Sequence, residues 1–253
     1  MRIVLKIYFS VLILTLHNIA YAQAYKIGHC YNGCPEGADD SNHLIVRPIY
    51  ALSYNTTTKS ADWVAYKVSG TSIGIASSLS RDAVQDNYVK DTLTAEDFLD
   101  SERVDLIRSQ YVSLIDFAGT PFWSDVNYLT NNVARTLSLS QGAWYGLDWS
   151  IRNLVNRQDE VYVVTGPIFD IEENSLVLPT DTPHRVPDRF FKVIVNNLGH
   201  SAAFILAQSA AVHVHHCEMI ATIDEIEGLT GLDLFPSLNL ESGDSVYSGL
   251  GCL

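Results

Sequence analysis

The segment VDLIRSQYVSLIDF, residues 104–117, is a mostly apolar run that is interrupted by Arg108, Ser109 and Gln110. A guanidinium among Val, Leu, Ile and Phe side chains needs either a carboxylate partner or an anionic ligand, because an unpaired buried charge is costly. The planar fork of N–H donors on arginine suits a phosphodiester, and several arginines can hold one without a metal ion. Arg108 therefore indicates either an internal ion pair or a phosphate-binding site.

A second group of possible ligands consists of His213, His215 and His216, next to Cys217. On a strand, His213 and His215 would face the same side and could bind one Zn²⁺ or Cu²⁺ ion. The local spacing fixes no carboxylate or other third ligand. We therefore expect exposed polar side chains beside a disulfide, with a functional metal site as the alternative.

The elements that must position these side chains are mostly strands. Apolar, β-branched and aromatic residues predict strands at 44–51, 61–69, 160–169, 190–197 and 201–208, of which the last two form a hairpin. We predict a long loop carrying Arg81 at 70–100, a strand and turn at 104–117, and a strand-like start followed by a polar loop at 124–134. Helical spacing begins at Gln141, and 223–235 predict a short helix that ends at Gly228 or Gly231. Separate strands and helices without βαβ alternation are typical of an α+β fold.

Residues 1–22 have the features of a secretory signal peptide. Arg2 and Lys6 precede a mostly apolar segment, and Ala20-Tyr21-Ala22 is a typical cleavage site. The apolar segment is short for a membrane span, which needs about 20 apolar residues, although a retained N-terminal anchor is the alternative. Residues 23–253 are long enough for one large domain with a substantial core. We expect the protein to be secreted or periplasmic.

All four cysteines lie after the signal peptide, at Cys30, Cys34, Cys217 and Cys252. An even number of cysteines in an exported chain favours two disulfides over a metal site. A Cys30–Cys34 bond would close the tight loop CYNGC, and a Cys217–Cys252 bond would fix the C-terminal tail.

The charge of the chain limits its partners. The net charge is −13, and residues 1–22 carry two positive and no negative charges, which leaves −15 for residues 23–253. Such a protein repels nucleic acid and anionic membranes unless it has a local positive patch. Residues 193–253 contain no lysine or arginine. Any anion-binding surface must therefore come from the preceding part of the chain.

Seven segments, in order along the chain, carry a family resemblance: CYNGCPEG, IVRPIYALSYNTTTKSADWVAY, SDVNYLTN, SQGAWYGLDWSIR, VYVVTGPIF, PHRVPDRFFKVIV and ATIDEIEGLTGL. With them the chain resembles the secreted DNA/RNA non-specific endonucleases of the Serratia-nuclease type, which have a ββα-metal active site. The resemblance implies a central antiparallel sheet flanked by helices, over residues 23–253, and the same two disulfides. It also implies Mg²⁺ as the cofactor, with no cofactor as the alternative, and a homodimer.

This chain departs from the family signature, an Asp-Arg-Gly-His stretch followed three residues later by proline. Ile107-Arg108-Ser109-Gln110 stands at the signature, and Ser113 replaces the proline. The resemblance gives the histidine the role of general base, and a carboxamide such as Gln110 has no useful basicity near neutral pH. Loss of a positioned base costs about 10²–10⁴ in rate.

The metal-binding positions also differ. The resemblance implies asparagine, the one direct protein ligand of Mg²⁺, at Ser140, and a glutamate that orients metal-bound water at Asp148. Mg²⁺ requires near-octahedral geometry and gives up its waters reluctantly, so loss of its direct ligand should weaken binding severely.

Four family positions that line the site are retained: Arg81, Arg108, Asn131 and Arg152. The phosphate-binding part thus persists while the base and the metal ligand do not. The alternative is that Arg108 and Arg152 pair with Asp86, Asp105 or Asp148 inside the fold.

Our leading hypothesis is a catalytically impaired, exported member of this family that keeps weak affinity for DNA or RNA in its cleft and binds either Mg²⁺ or no cofactor. The first alternative is an active Mg²⁺-dependent non-specific nuclease with a rearranged site. The second is a structural or protein-interaction module, whose unknown protein partner would meet the acidic C-terminal quarter. We expect no membrane partner.

Overall fold

A computed structural model describes residues 26–170, 176–236, 238 and 240–252. The proposed signal peptide lies outside the described residues. Within those ranges the strands are β1 (His43–Val46), β2 (Tyr50–Asn55), β3 (Ser60–Ser69), β4 (Leu106–Gln110), β5 (Asn132–Thr136), β6 (Glu160–Ile168), β7 (Arg189–Asn196), β8 (His200–Ala207), β9 (Ile220–Ala221) and β10 (Glu241–Ser242). The helices are α1 (Leu114–Phe117), α2 (Leu137–Gln141), α3 (Ala143–Gln158), α4 (Ile223–Thr230) and α5 (Asp244–Gly249).

Eight of these strands form one sheet in the order β1-β2-β3-β6-β7-β8-β10, with β9 also paired to β8. All pairs are antiparallel except the short β8–β10 contact. The predicted hairpin is confirmed, because Val195 of β7 pairs with Ser201 of β8. β4 and β5 form a separate two-stranded ribbon, in which Gln110 lies opposite Asn132. The α+β fold with a central antiparallel sheet is confirmed.

The large sheet buries both faces, so its central strands alternate between two apolar clusters. On β7, Phe190 and Ile194 belong to the cluster that contains α3, whereas Phe191 and Val193 belong to the cluster on the opposite face, which contains Ile226 of α4. Lys192 shares the face of Phe190 and is therefore directed toward α3. This alternation places a lysine in the core beneath the ribbon.

The helix predicted from Gln141 is confirmed as α3, although a short helix α2 precedes it. Gly142 separates the two helices, and a Cβ atom there would lie 2.6 Å from the Val212 carbonyl oxygen, which only glycine permits. α4 ends as predicted at Gly231, whose φ of 73° is in the left-handed region that glycine adopts freely.

Three predictions of local structure were wrong in part. Residues 44–51 form two strands rather than one, because the chain turns at Pro48, which lacks an N–H group for a strand ladder. Residues 124–134 form 3-10 turns, and their strand comes at the end instead of the beginning. After β4, the predicted turn in 104–117 is the short helix α1.

The two predicted disulfides, Cys30–Cys34 and Cys217–Cys252, are both present. No helix in the described part of the chain is long and apolar enough to cross a membrane.

Candidate active site

The β4–β5 ribbon holds Arg108 beside the loop that carries Arg81, and we call the surface formed by Arg81, Arg108 and Gln110 the cleft, after the family resemblance. Its Nη1 donates to Asn132 Oδ1 at 2.9 Å, and its Nη2 donates to the Arg81 carbonyl oxygen at 2.7 Å. The Arg108 side chain is half-buried, and burial lowers its pKa, an effect that the nearby Asp82 carboxylate partly opposes. Arg81 itself is exposed on its loop. The structure thus places the Arg108 guanidinium against the backbone of the loop that carries Arg81.

Neither cleft arginine is neutralised by the described part of the protein. No described carboxylate lies within 4 Å of the guanidinium of Arg81 or Arg108. The alternative that Arg108 pairs with Asp86 is wrong, because Arg47 makes that ion pair at 2.8 Å. Arg108 therefore keeps its charge available for an anion.

Gln110, at the position implied for the general base, is fixed by both of its amide N–H donors. Nε2 donates to the Val126 carbonyl oxygen at 3.0 Å and to Asn127 Oδ1 at 3.1 Å. Asn127 in turn donates to the Ser80 carbonyl oxygen at 2.9 Å. The side chain ties the ribbon to two loops, and an amide nitrogen used in this way cannot accept a proton from water.

Asn131 is directed into the protein rather than into the cleft. Its Nδ2 donates to the carbonyl oxygens of Val112 and Val126, and its Oδ1 accepts from the Val112 N–H. The side chain is fully buried. It fixes the segment that follows Gln110, and the neighbouring Asn132 contacts Arg108 instead.

The position implied for the direct metal ligand is Ser140, near the end of α2. Its Oγ lies 3.2 Å from Ser109 Oγ, so the two hydroxyl groups form a hydrogen bond. Ser109 occupies the position where the family signature has glycine. A neutral hydroxyl that is already paired with another hydroxyl is a poor anchor for Mg²⁺.

Asp148, the position implied for orienting metal-bound water, is buried and accepts a hydrogen bond from Lys192 Nζ. Burial lowers the pKa of Lys192, and Asp148 opposes that shift. The ammonium group also lies 3.9 Å from the ring centroid of Trp144. A divalent ion at Asp148 would have to displace this lysine, so the residues at 110, 140 and 148 do not fit the implied magnesium.

Arg152 forms an internal ion pair, as the alternative proposed, but its partner is Asp116 of α1 at 2.9 Å rather than Asp148. Burial opposes the charge of Arg152, but the Asp116 and Asp148 carboxylates outweigh that effect and raise its pKa. Burial and the charge of Asp148 raise the pKa of Asp116, against the opposing effect of Arg152. Arg152 therefore belongs to the interior rather than to the exposed cleft.

Arg135 was not predicted from the sequence. It is buried on β5, its Cζ lies 3.4 Å from the Trp144 ring centroid, and its Nη2 donates to the Gln110 carbonyl oxygen at 3.0 Å. Burial lowers its pKa to about 10, and it has no ion pair with a described carboxylate. The available signal was a charged residue within an apolar strand, in NVART for Arg135 and in FFKVIV for Lys192.

The histidine-rich segment does not provide a metal site. Within the described ranges, one group of three possible metal ligands has its ligand atoms within 4.8 Å of one another, and it consists of His215, His216 and Cys217. The Cys217 sulfur is bonded to Cys252 and is therefore not a free ligand. The segment is not a strand, which a shared ligand face for His213 and His215 would require, because it turns and enters a 3-10 helix at His216. His213 and His215 are exposed as expected, whereas His216 is buried and donates from Nε2 to the Leu250 carbonyl oxygen.

The fold is antiparallel α+β, and Arg108 of its β4–β5 ribbon lies beside the loop that carries Arg81. The sequence profile of the DNA/RNA non-specific endonuclease family matches residues 28–241. The chain is 36% identical over 239 residues to a nuclease of Serratia marcescens, covering 90% of this chain and 88% of the relative. The chain belongs to the DNA/RNA non-specific endonuclease family.

Two further similarities agree with this assignment. A nuclease of a Nostoc species is 27% identical over 245 residues, which cover 87% of this chain and 85% of that protein. A chain in the crystal structure of the EndoG/EndoGI complex superimposes with a TM-score of 0.69 at 19% identity, covering 84% of this chain and 91% of that one. At this identity the structural match supports the fold alone.

Proposed function

We propose that this member of the family binds nucleic-acid phosphates through Arg81 and Arg108 but is impaired in metal-dependent hydrolysis. The observation that carries the proposal is the amide of Gln110 at the position of the base, together with the paired hydroxyl group of Ser140 at the position of the metal ligand. The arginines that would bind phosphate are thus retained, whereas the residues that would hydrolyse it are replaced.

Binding is supported by the two cleft guanidinium groups, which have no described carboxylate partner, and by the charges beneath them. The buried cluster of Arg135, Arg152, Lys192, Asp116 and Asp148 has three cations and two carboxylates. Its excess positive charge favours an anion above it, because buried charges are screened little by salt. Contacts of this kind position a phosphate backbone without reading its sequence.

Impaired hydrolysis is supported by the loss of two separate functions. Gln110 has no basic atom with which to activate water, a loss of about 10²–10⁴ in rate. Ser140 and Asp148 offer no open pair of oxygen ligands for a divalent ion. Either change alone would slow phosphodiester cleavage, and no other described group of the cleft supplies both functions.

We also propose that the protein is exported. The two disulfides support this proposal, because such bonds persist in oxidising compartments.

The test is incubation of the purified protein with plasmid DNA and with RNA, in the presence of Mg²⁺ or Mn²⁺. We expect no cleavage by the native protein above a blank, and measurable cleavage by Gln110→His with Ser140→Asn. Adding Asp148→Glu restores the residue that the family resemblance implies at this position, and it should increase the rate further. Robust Mg²⁺-dependent digestion by the native protein would remove the proposal.

The matched control repeats the same two substitutions elsewhere. Gln158→His lies at the end of α3, and Ser209→Asn lies on an exposed turn after β8. This control should remain inactive. Activity in the control preparation would indicate a contaminating nuclease.

A further inference from the structure

Helix α3 presents two aromatic rings to solvent. Tyr145 is 53% exposed and Trp149 is 56% exposed. They are four residues apart, so they are neighbours on one face of the helix. The other tryptophan of this helix, Trp144, is buried in the core. Two adjacent exposed rings form a small apolar patch, and contiguous patches of this kind mark interaction sites.

These rings lie near the candidate site along the chain. Tyr145 is five residues after Ser140, so their Cα atoms lie within about 18 Å of each other on any chain path. Ser140 contacts Ser109, the residue between Arg108 and Gln110. The Tyr145 phenol is also close enough to Arg152 to interact with it electrostatically. A ligand of a few nucleotides can therefore reach both the cleft arginines and the rings.

The charge of the helix selects the kind of ligand. Asp148 is the only acidic residue of α3, and it is buried and paired with Lys192. The solvent-exposed face of α3 thus carries no carboxylate, in a chain whose net charge is −13. Arg157 adds a positive charge in the last turn. This face is compatible with a polyanion, unlike most of the surface.

We propose that Tyr145 and Trp149 stack the unpaired bases of a single-stranded nucleic acid whose phosphates lie on Arg81 and Arg108. The inference rests on the proposed function and makes it more specific, since duplex bases are already stacked and cannot use the rings. Stacking on aromatic side chains tolerates any base sequence. Loss of one ring should weaken binding by about 5-fold or more.

The experiment measures fluorescence anisotropy of three labelled probes with the full-length mature protein in EDTA. The probes are a 12-nucleotide oligothymidylate, a 12-nucleotide abasic strand with the same phosphates, and a 12-base-pair duplex. We expect the oligothymidylate to bind more tightly than the abasic strand. Tyr145→Ala and Trp149→Ala should weaken the oligothymidylate complex and leave the abasic complex unchanged.

Two variants serve as controls. Trp149→Phe keeps an aromatic ring and should keep most of the affinity. Quenching of tryptophan fluorescence by the oligothymidylate should occur in the native protein and be much reduced in Trp149→Phe. Leu198→Ala removes an apolar side chain that is 75% exposed on the β7–β8 turn, and it should change nothing.

The outcomes separate this inference from the proposed function. Equal binding of base-bearing and abasic strands, with no effect of the ring variants, would overturn the proposal that Tyr145 and Trp149 stack bases. It would leave the proposal of phosphate binding intact. Failure of the native protein to bind any probe would overturn both. A change in oligomeric state in Tyr145→Ala or Trp149→Ala, measured by light scattering with unchanged binding, would identify the face as a contact between protein copies and overturn the inference.

Discussion

The cationic side chains of the cleft and those of the core differ in their partners. Arg108 and Arg81 contact carbonyl and amide oxygens but no described carboxylate. Arg152 and Lys192 lie within the core and each contacts a carboxylate. All four side chains are positively charged groups from neighbouring elements of one fold, yet only the first two remain available to a ligand.

The difference shows that burial decides what a charged side chain can do. A buried cation needs compensating contacts, because removing an ion from water costs several kcal/mol. Arg135 finds them in the Trp144 ring and the Gln110 carbonyl oxygen, whereas Arg152 and Lys192 each find a carboxylate. Lys192 and Arg152 are neutralised by carboxylates inside the protein, so their charges are not available to bind phosphate. Arg108 is only half-buried, so its guanidinium can be hydrated in addition to its hydrogen bonds with Asn132 and the Arg81 carbonyl oxygen. A cation retained at a family position is therefore not by itself a binding residue.

The strongest test of this comparison removes a core cation. Lys192→Met should lower the free energy of unfolding by about 3–5 kcal/mol, because Asp148 would remain buried without its partner. Urea unfolding followed by circular dichroism measures the change. Adding Asp148→Leu should recover much of the loss, since the buried charge is then gone as well.

The control for this prediction is Lys67→Met, which removes a lysine from the partly exposed ion pair with Glu160. An exposed pair of this kind contributes about 0–1 kcal/mol. A similar loss for Lys67→Met and Lys192→Met would contradict the distinction between paired core cations and surface cations.

A smaller effect comes from Asp97, a buried carboxylate that needs no cation. Burial opposes its charge, but donors from Thr180, Thr182 and Thr94 outweigh that effect and lower its pKa to about 2. A depressed pKa stabilises the folded state above the ordinary value, and this contribution is lost as pH falls from about 4 toward 2. The contribution should reach at most about 2 kcal/mol.

The measurement compares urea unfolding of the native protein and Asp97→Asn at pH 6 and at pH 2. The native protein should be the more stable at pH 6, and the difference between the two should shrink at pH 2. Asp40→Asn, which removes a charge from the exposed surface, should show no such pH-dependent difference. A constant difference for Asp97→Asn would show that the threonine donors stabilise the protein without depending on ionisation.

Much of the fold could be predicted from the sequence because the signals were local. Alternating apolar residues located β3 and the β7–β8 hairpin, and Gly231 marked the end of α4. The 124–134 region could not be predicted in this way. Asn131 is fixed there by backbone groups of Val112 and Val126, and such tertiary hydrogen bonds override local strand propensity.

The site was predictable in its residues but not in its pairings. Arg108 stood out as a charge in an apolar run, and its proximity to Arg81 was expected from the resemblance. The partners of Asp148 and Arg152 lie 44 and 36 residues away along the chain. The sequence suggested Asp86, Asp105 or Asp148 as partners and missed Asp116, which depends on the packing of α1 beside α3.

Arg108→Gln should have the smallest effect on stability of these variants and the clearest effect on binding. Because Arg108 has no described carboxylate partner, its loss should change the free energy of unfolding by less than about 1 kcal/mol. Affinity for a single-stranded oligonucleotide in EDTA should fall by about 10-fold, and the slope of log K against log salt should decrease by about 0.7, the loss of one phosphate contact. Arg103→Gln removes an equal charge from an exposed ion pair with Asp100, and it should leave both affinity and slope unchanged. An unchanged salt slope in Arg108→Gln would place Arg108 with the structural arginines of the core and remove the distinction between the two regions.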